Sequence, residues 1–271
     1  MSVTGVLSAR DETRASHRAV EPTAFNQWAS LSERNLRHMV KSGHLLVAII
    51  APAVYTAGFY LPLKFVMQLQ GIDYAQFLMP IICLQTMAFT AISAAQRAAM
   101  EGTSGMTSRL QTMPIKLWVP LLARSTANFV HAFVSLVAAI LYGTLIGFRF
   151  SGGLASAAAF FAFALLVGFA LSTGGDAIGS LSRSPEATSQ ALTLPQLILG
   201  MLSSGFVPET GFPEWIRPFV RNQPISIFAG AMRDLADTGV VWATLLPAVI
   251  WALGLIAVLI PLAVWASVRR S

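Results

Sequence analysis

Charge is what this chain has least of. Only 11% of its 271 residues are Asp, Glu, Lys or Arg, whereas soluble domains carry about 25%. With apolar runs of about twenty residues and a mean hydropathy of +0.65, the deficit excludes an ordinary soluble domain. It points to repeated membrane crossings. Cysteine is nearly absent as well. The single Cys83 sits inside an apolar run, which excludes a disulfide framework and a thiolate metal cluster. No G-x-x-x-x-G-K-[ST] occurs, so this chain does not cradle nucleotide phosphates as a P-loop does. An H-x-x-x-H pair and a G-x-S-x-G elbow are missing too, and His17, His38, His44 and His131 are scattered. No enzyme activity, metal or cofactor is expected of the chain itself. The first 44 residues lack the apolar core and small-residue cleavage site of a signal peptide, so none is expected. A net charge of +6 would suggest nucleic acid in a soluble protein. In a membrane chain it reads as Lys and Arg held on the cytoplasmic side, with no nucleic-acid partner.

What is there is a series of apolar segments. Windows of about 19 residues place spans at 45–63, 77–95, 125–148, 154–175, 187–207 and 240–268. Lys64 closes the first, and Pro52 bends it. Trp242 and Trp265 bracket the last at a separation of roughly 34 Å for a helix rising about 1.5 Å per residue, which suits an aromatic anchor at each face. Six spans put both termini on one side. Thirteen of the 18 basic residues fall on that side, in the N-terminal segment, the loops at 96–124 and around Arg183, and the C-terminus; Lys64, Arg149, Arg217, Arg221 and Arg233 fall opposite. The positive-inside rule makes both termini cytoplasmic.

Residues 1–22 are read as a flexible cytoplasmic N-terminus and 23–44 as an amphipathic helix lying in the headgroup plane. On a helical wheel Phe25, Trp28, Leu31, Leu36, Met39 and Val40 share one half, and Arg34, Arg37, His38 and Lys41 the other. A helix packed on another subunit is compatible with the same pattern. Within the spans, Asn128 and His131 lie on one face of the third, as hydrogen-bonding groups between helices or as a substrate or proton site. Asp176 follows Gly174-Gly175 near the cytoplasmic end of the fourth. There it is expected to reach water, a poor place for a proton-coupling acid.

Two loops carry more. In the cytoplasmic loop 96–124, Met106, Leu110 and Met113 are spaced for one helical face, Gly102 and Gly105 supply a hinge, and Pro114 ends the helix. A mere connection needs a handful of residues, so this loop is expected to dock onto something. In the outer loop 204–226, Pro208, Pro213, Pro218 and Pro224 punctuate the chain. A short helix begun by Pro213 would put Trp215, Ile216, Phe219 and Val220 on one face and Arg217 and Arg221 on the other. Such a helix would re-enter the outer interface between spans five and six, as an anchor or as a gate built on Pro208, Pro213, Trp215, Phe219 and Pro224.

These loops resemble those of the ABC-2 type permeases, the membrane subunits of bacterial ABC exporters. Glu101-Gly102, Arg109-Leu110 and Met113-Pro114 stand where that family has an acid and a glycine, a short helix, and a proline before the third span. Ser184-Pro185-Glu186-Ala187, Ser204-Gly205-Phe206-Val207-Pro208 and Asn222-Gln223-Pro224 match its second pattern. The resemblance covers about residues 23–268 and is closest to the daunorubicin-resistance type, which exports amphiphilic drugs or cell-envelope lipids. It departs in the Gly/Ser-rich stretch 103–107, where relatives are more charged. It implies an all-α, six-span subunit of a bacterial plasma-membrane exporter working by alternating access. The complex would contain a second permease, identical or different, and two ATPase subunits that bind ATP and Mg. Glu101, Gly102, Met106, Arg109, Leu110, Met113 and Pro114 would form the coupling helix seated in the ATPase, and the interfacial helix with Phe25, Trp28, Leu31, Arg34 and Arg37 would touch it too. The competing reading is a stand-alone proton-coupled exporter.

Overall fold

Thr23 opens the first helix, its hydroxyl accepting the Asn26 N–H at 3.3 Å. From there the structure, a computed structural model, describes residues 23–104 and 118–269. Every regular element among them is helical: α1 Ala24–Lys41, α2 His44–Leu69, α3 Tyr74–Thr103, α4 Trp118–Ile146, α5 Gly153–Leu181, α6 Pro185–Met201, α7 Arg217–Asn222, α8 Pro224–Asp237 and α9 Trp242–Arg269. Local chemistry sets the boundaries. Gly43 takes the left-handed φ of 77° that turns α1 into α2. Asp73 caps α3 by accepting the Ala75 N–H at 3.1 Å, and Ser184 caps α6 by accepting the Ala187 N–H at 3.3 Å. Ser184-Pro185-Glu186 is thus a helix-start signal: a hydroxyl cap, a proline at the first position, and an acid facing the positive end of the dipole.

Five helices, α2, α3, α4, α5 and α9, are long and apolar enough to cross a bilayer. The expected fifth span, 187–207, is instead the 17-residue α6 followed by turns. It rises about 26 Å, a little under a core of about 30 Å. α2, α3 and α5 overrun their expected spans at both ends, and α4 and α9 at one end each. Lys64 does not close α2, which runs on to Leu69 while the Lys64 ammonium lies 5.3 Å from the centre of the Tyr60 ring. α3 continues to Thr103 and α4 begins at Trp118, so the stretch outside these two helices is 104–117 rather than 96–124. Hydropathy marks the apolar part of a helix, and a helix can continue into water beyond it.

α3 is the axis. Its apolar window is 78% buried, against 17% for α2 and 11% for α9. Against it α5 packs backbone to backbone. A Cβ built on Gly175 would lie 2.3 Å from the Ala91 carbonyl oxygen, and one on Gly179 would lie 2.0 Å from that of Ala95. Small residues four apart on both helices therefore let the two chains approach, as apolar surroundings favour when water supplies no driving force between helices. Cys83 is fully buried on α3 within this core.

The opposite end is latched by polar groups. The Gln76 amide donates to the Arg149 carbonyl at 2.8 Å and accepts the Arg149 N–H at 3.1 Å, and it also donates to Asp237. The Arg233 guanidinium stacks 3.8 Å from the Phe77 ring centre and donates to the carbonyls of Phe77 and Ser204. This latch places α8, Pro224–Asp237, which fills most of the stretch between the outer loop 204–226 and the expected last span. The short helix expected from Pro213 begins later, at Arg217. Its expected shared face divides: Val220 is buried while Trp215 is 80% exposed, because Pro213–Ile216 closes as a turn, the Ile216 N–H donating to the Pro213 carbonyl at 3.1 Å.

Candidate functional site

At the end of α3 a run of Ser, Thr and Gly satisfies the last carbonyls locally. The Ser104 N–H and the Thr103 hydroxyl both donate to the Met100 carbonyl, at 3.0 and 3.1 Å. Two residues before that end stands Glu101, and nearly two turns into α4, as its seventh residue, stands Arg124. Their side chains meet: Arg124 Nη1 lies 3.5 Å from Glu101 Oε2. The same guanidinium donates through Nε to Asp176 Oδ2 at 3.0 Å. Arg124 therefore clamps both ends of the 105–117 segment to α5. Asp176, expected to reach water, is only 4% exposed. The close approach allowed by Gly175 carries it in against α3, where its charge is matched by Arg124.

A second, partly buried cation lies a turn deeper. Arg97 donates from Nη2 to Asn128 Oδ1 at 2.7 Å. Of the two options open for Asn128, the structure therefore shows a hydrogen bond between helices. His131 is buried beside it, with Nδ1 lacking a hydrogen-bond partner. In the sequence Arg97 and Arg124 stand only as charges of the 96–124 loop, and no spacing pairs them with Asn128 or Asp176. The missed signal was Gly175-x-x-x-Gly179 facing Ala91-x-x-x-Ala95, which brings α5 onto α3.

α1 roofs this cluster. Trp28 Nε1 donates to Thr126 Oγ1 at 3.2 Å, and Met39 is buried at 1% exposure. Phe25 and Val40, at 68% and 60%, stay exposed. The apolar half-wheel is thus divided between the bundle and the outside, while Arg37 pairs with Glu33 on the polar side. Between α1 and the bundle lies a cavity of about 290 Å³, bounded by Arg34 and His38 of α1, His44 of α2, Arg97 and Glu101 of α3, and Asp176 of α5.

A larger and mainly apolar cavity of about 370 Å³ opens between α3, α5, α6, α8 and α9. Its polar lining includes three glutamines. Gln196 donates to Gln85, and the Gln223 amide donates to the Leu202 carbonyl at 2.6 Å. The oxygens Gln196 Oε1 and Gln223 Oε1 are buried without a donor. A mostly apolar chamber with a few convergent polar atoms is the usual form of a site for a small amphiphile.

Of the expected coupling residues, the structure places Glu101 in the ion-pair network and Gly102 in the last turn of α3. Met106, Arg109, Leu110, Met113 and Pro114 lie outside the described residues. The proposed outer-gate residues spread along the α6–α8 connection. Pro208 caps the 3-10 turn Glu209–Gly211 and Pro224 starts α8. Phe219 on α7 is 48% exposed. Between them Arg221 holds Glu209 through Nε at 3.0 Å. Among the described residues no group of His, Cys, Asp and Glu could hold a metal ion.

Residues 31–265 match the family described as ABC-2 family transporter protein. The chain is 37% identical over 232 residues to the doxorubicin resistance ABC transporter permease protein DrrB of Mycobacterium tuberculosis H37Rv, covering 80% of each. It is 29% identical over 165 residues to the probable doxorubicin resistance ABC transporter permease protein DrrC of the same strain, covering 60% of this chain and 59% of that one. To the daunorubicin resistance ABC transporter permease protein DrrB1 of Streptomyces coeruleorubidus it is 27% identical over 193 residues, covering 70% and 67%.

Proposed function

The chain belongs to the ABC-2 family of transporter proteins, and on that premise we propose that it is the permease subunit of an ATP-driven exporter. In this reading it sits in a bacterial plasma membrane with both termini in the cytoplasm, α6 making the sixth crossing and α7 with α8 re-entering from the outside. It pairs with a second permease and with two ATPase subunits that supply ATP and Mg. The cargo is an amphiphile, drug or lipid, moved by alternating access. The names of the relatives support drug export, and the chamber with Gln85, Gln196 and Gln223 suits a molecule that is mostly apolar with hydrogen-bond donors.

The observation that carries this reading is the Arg124 clamp. A segment that receives a push from an ATPase must be tied to the bundle at both ends, and Arg124 joins Glu101, Asp176 and three helices in one network. A rigid displacement of 105–117 then moves α3, α4 and α5 together, and a bundle with two packings turns that shift into a switch of access. The same network weighs against a proton-coupled exporter, because Asp176 is already occupied by an arginine.

Inverted membrane vesicles containing this chain and its ABC ATPase partner should accumulate doxorubicin with ATP and lose that uptake with vanadate. Vesicles with the chain alone should show none. Arg109→Glu should abolish uptake while leaving membrane insertion intact. Accumulation that survives vanadate but collapses with a protonophore would make the chain a secondary carrier instead.

A further inference from the structure

We propose that the cavity under α1 is a binding site for the phosphate of an anionic lipid headgroup, with the Arg97 guanidinium as its main ligand. The inference rests on the reading above only in placing this end of the bundle at headgroup level. Arg97 Nη2 is engaged by Asn128, but Nη1 is buried and has no hydrogen-bond partner. A charged donor left so is costly, and native structures rarely leave one without a ligand or water. The carboxylates of the same cavity act on Arg97 only at a distance and make no hydrogen bond to it. Among the described residues Glu101 and Asp176 form their ion pairs with Arg124.

Charge, room and surroundings all point to an anion. Arg34, Arg97 and Arg124 face two carboxylates, Glu101 and Asp176, across the cavity, an excess of one positive charge. The volume of about 290 Å³ far exceeds the roughly 30 Å³ of one water. A guanidinium presents paired N–H groups in the geometry of phosphate oxygens. A lipid is favoured over free phosphate by the exposed apolar surface of the helices that supply His38 and His44 to the cavity. Within two turns after His44, α2 exposes Leu46, Val47 and Ile50, and the end of α1 exposes Val40. Acyl chains can lie along that surface while the headgroup reaches in to Arg97.

The test uses the full chain in nanodiscs, so that both leaflets are offered and neither ATPase nor ATP is needed. In discs of phosphatidylcholine with phosphatidylglycerol, native mass spectrometry should find phosphatidylglycerol retained on the released protein. The melting temperature should also exceed that in phosphatidylcholine alone. Arg97→Gln should cut retention about tenfold, the scale of one charge-assisted hydrogen bond, and lose the lipid-dependent rise in melting temperature. Asn128→Asp keeps the arginine but gives it an internal anion. It should lose the lipid by the same order while melting no lower than wild type, which separates ligand loss from misfolding. Inorganic phosphate titrated into phosphatidylcholine discs should not reproduce the rise; if it does, the site takes the free ion and the lipid assignment falls. Unchanged retention in Asn128→Asp or in folded Arg97→Gln overturns the proposal. None of these readouts involves transport, so their failure leaves the exporter reading standing, and the vanadate experiment can fail without touching them.

Discussion

Arg124 answers two carboxylates, and its loss would leave Asp176 charged at 4% exposure. Removing one partner of such a pair costs about 3–5 kcal/mol. Arg124→Met should therefore lower the thermal midpoint strongly, and adding Asp176→Asn should recover part of the loss, a coupling on the order of 1–3 kcal/mol. Purified single and double variants in detergent would show it. Strict additivity would mean that the two side chains do not interact. Gly179 gives a second residue-scale expectation. Its missing Cβ would lie 2.0 Å from the Ala95 carbonyl oxygen, so even Gly179→Ala forces the helices apart. It should destabilise by about 1–3 kcal/mol, the usual cost of overpacking. Gly58, whose added Cβ meets nothing within 4 Å, should accept alanine without loss.

Among the elements, the α6–α8 connection carries a pH-sensitive clasp. Hydrogen bonds from Arg221 hold the Glu209 carboxyl below its usual value of 4.5. A carboxyl lowered in the folded state lends stability above its unfolded value and loses it as pH falls through the lowered one. The pair is exposed, so its release should open the segment locally rather than melt the protein. Hydrogen exchange across 209–222 should quicken as pH falls below 4.5, after correction for the intrinsic rate, and Glu209→Gln should already be fast at neutral pH. How far each element could be read from sequence follows its physics. α1 was legible because its apolar residues recur with a helical period and Thr23 marks its start. α8 was not, although Phe228, Met232 and Leu235 are buried at i, i+4 and i+7. Arg233, Asp234 and Asp237 lower its hydropathy below that of a span. The overrun of α3 past residue 95 was hidden for the same reason, since hydropathy falls before the helix ends. The ion-pair cluster was illegible because partner choice depends on how α5 is rotated against α3. Only Gly175 and Gly179 hint at that rotation.

For the whole molecule, composition alone placed the chain in a membrane, while counting crossings by hydropathy ran into α6. Its 17 residues are marginal for a bilayer of about 30 Å. Introduced cysteines offer a direct check, because native Cys83 is fully buried. Cysteines at positions 23 and 269 should react with a membrane-impermeant maleimide from the cytoplasmic side, and one at Trp215 from the outside. Labelling of 23 and 269 from opposite sides would mean an odd number of crossings. The α3–α5 seam also limits how such a bundle can move. Where glycine Cα atoms sit against carbonyl oxygens, the two helices are meshed like gear teeth and have no small slip available. The next register without collision is about a full turn away, roughly 5.4 Å. In the exporter reading proposed above, the pair would therefore move as a single strut, and any sliding would fall on the surfaces that α2, α6, α8 and α9 make with it.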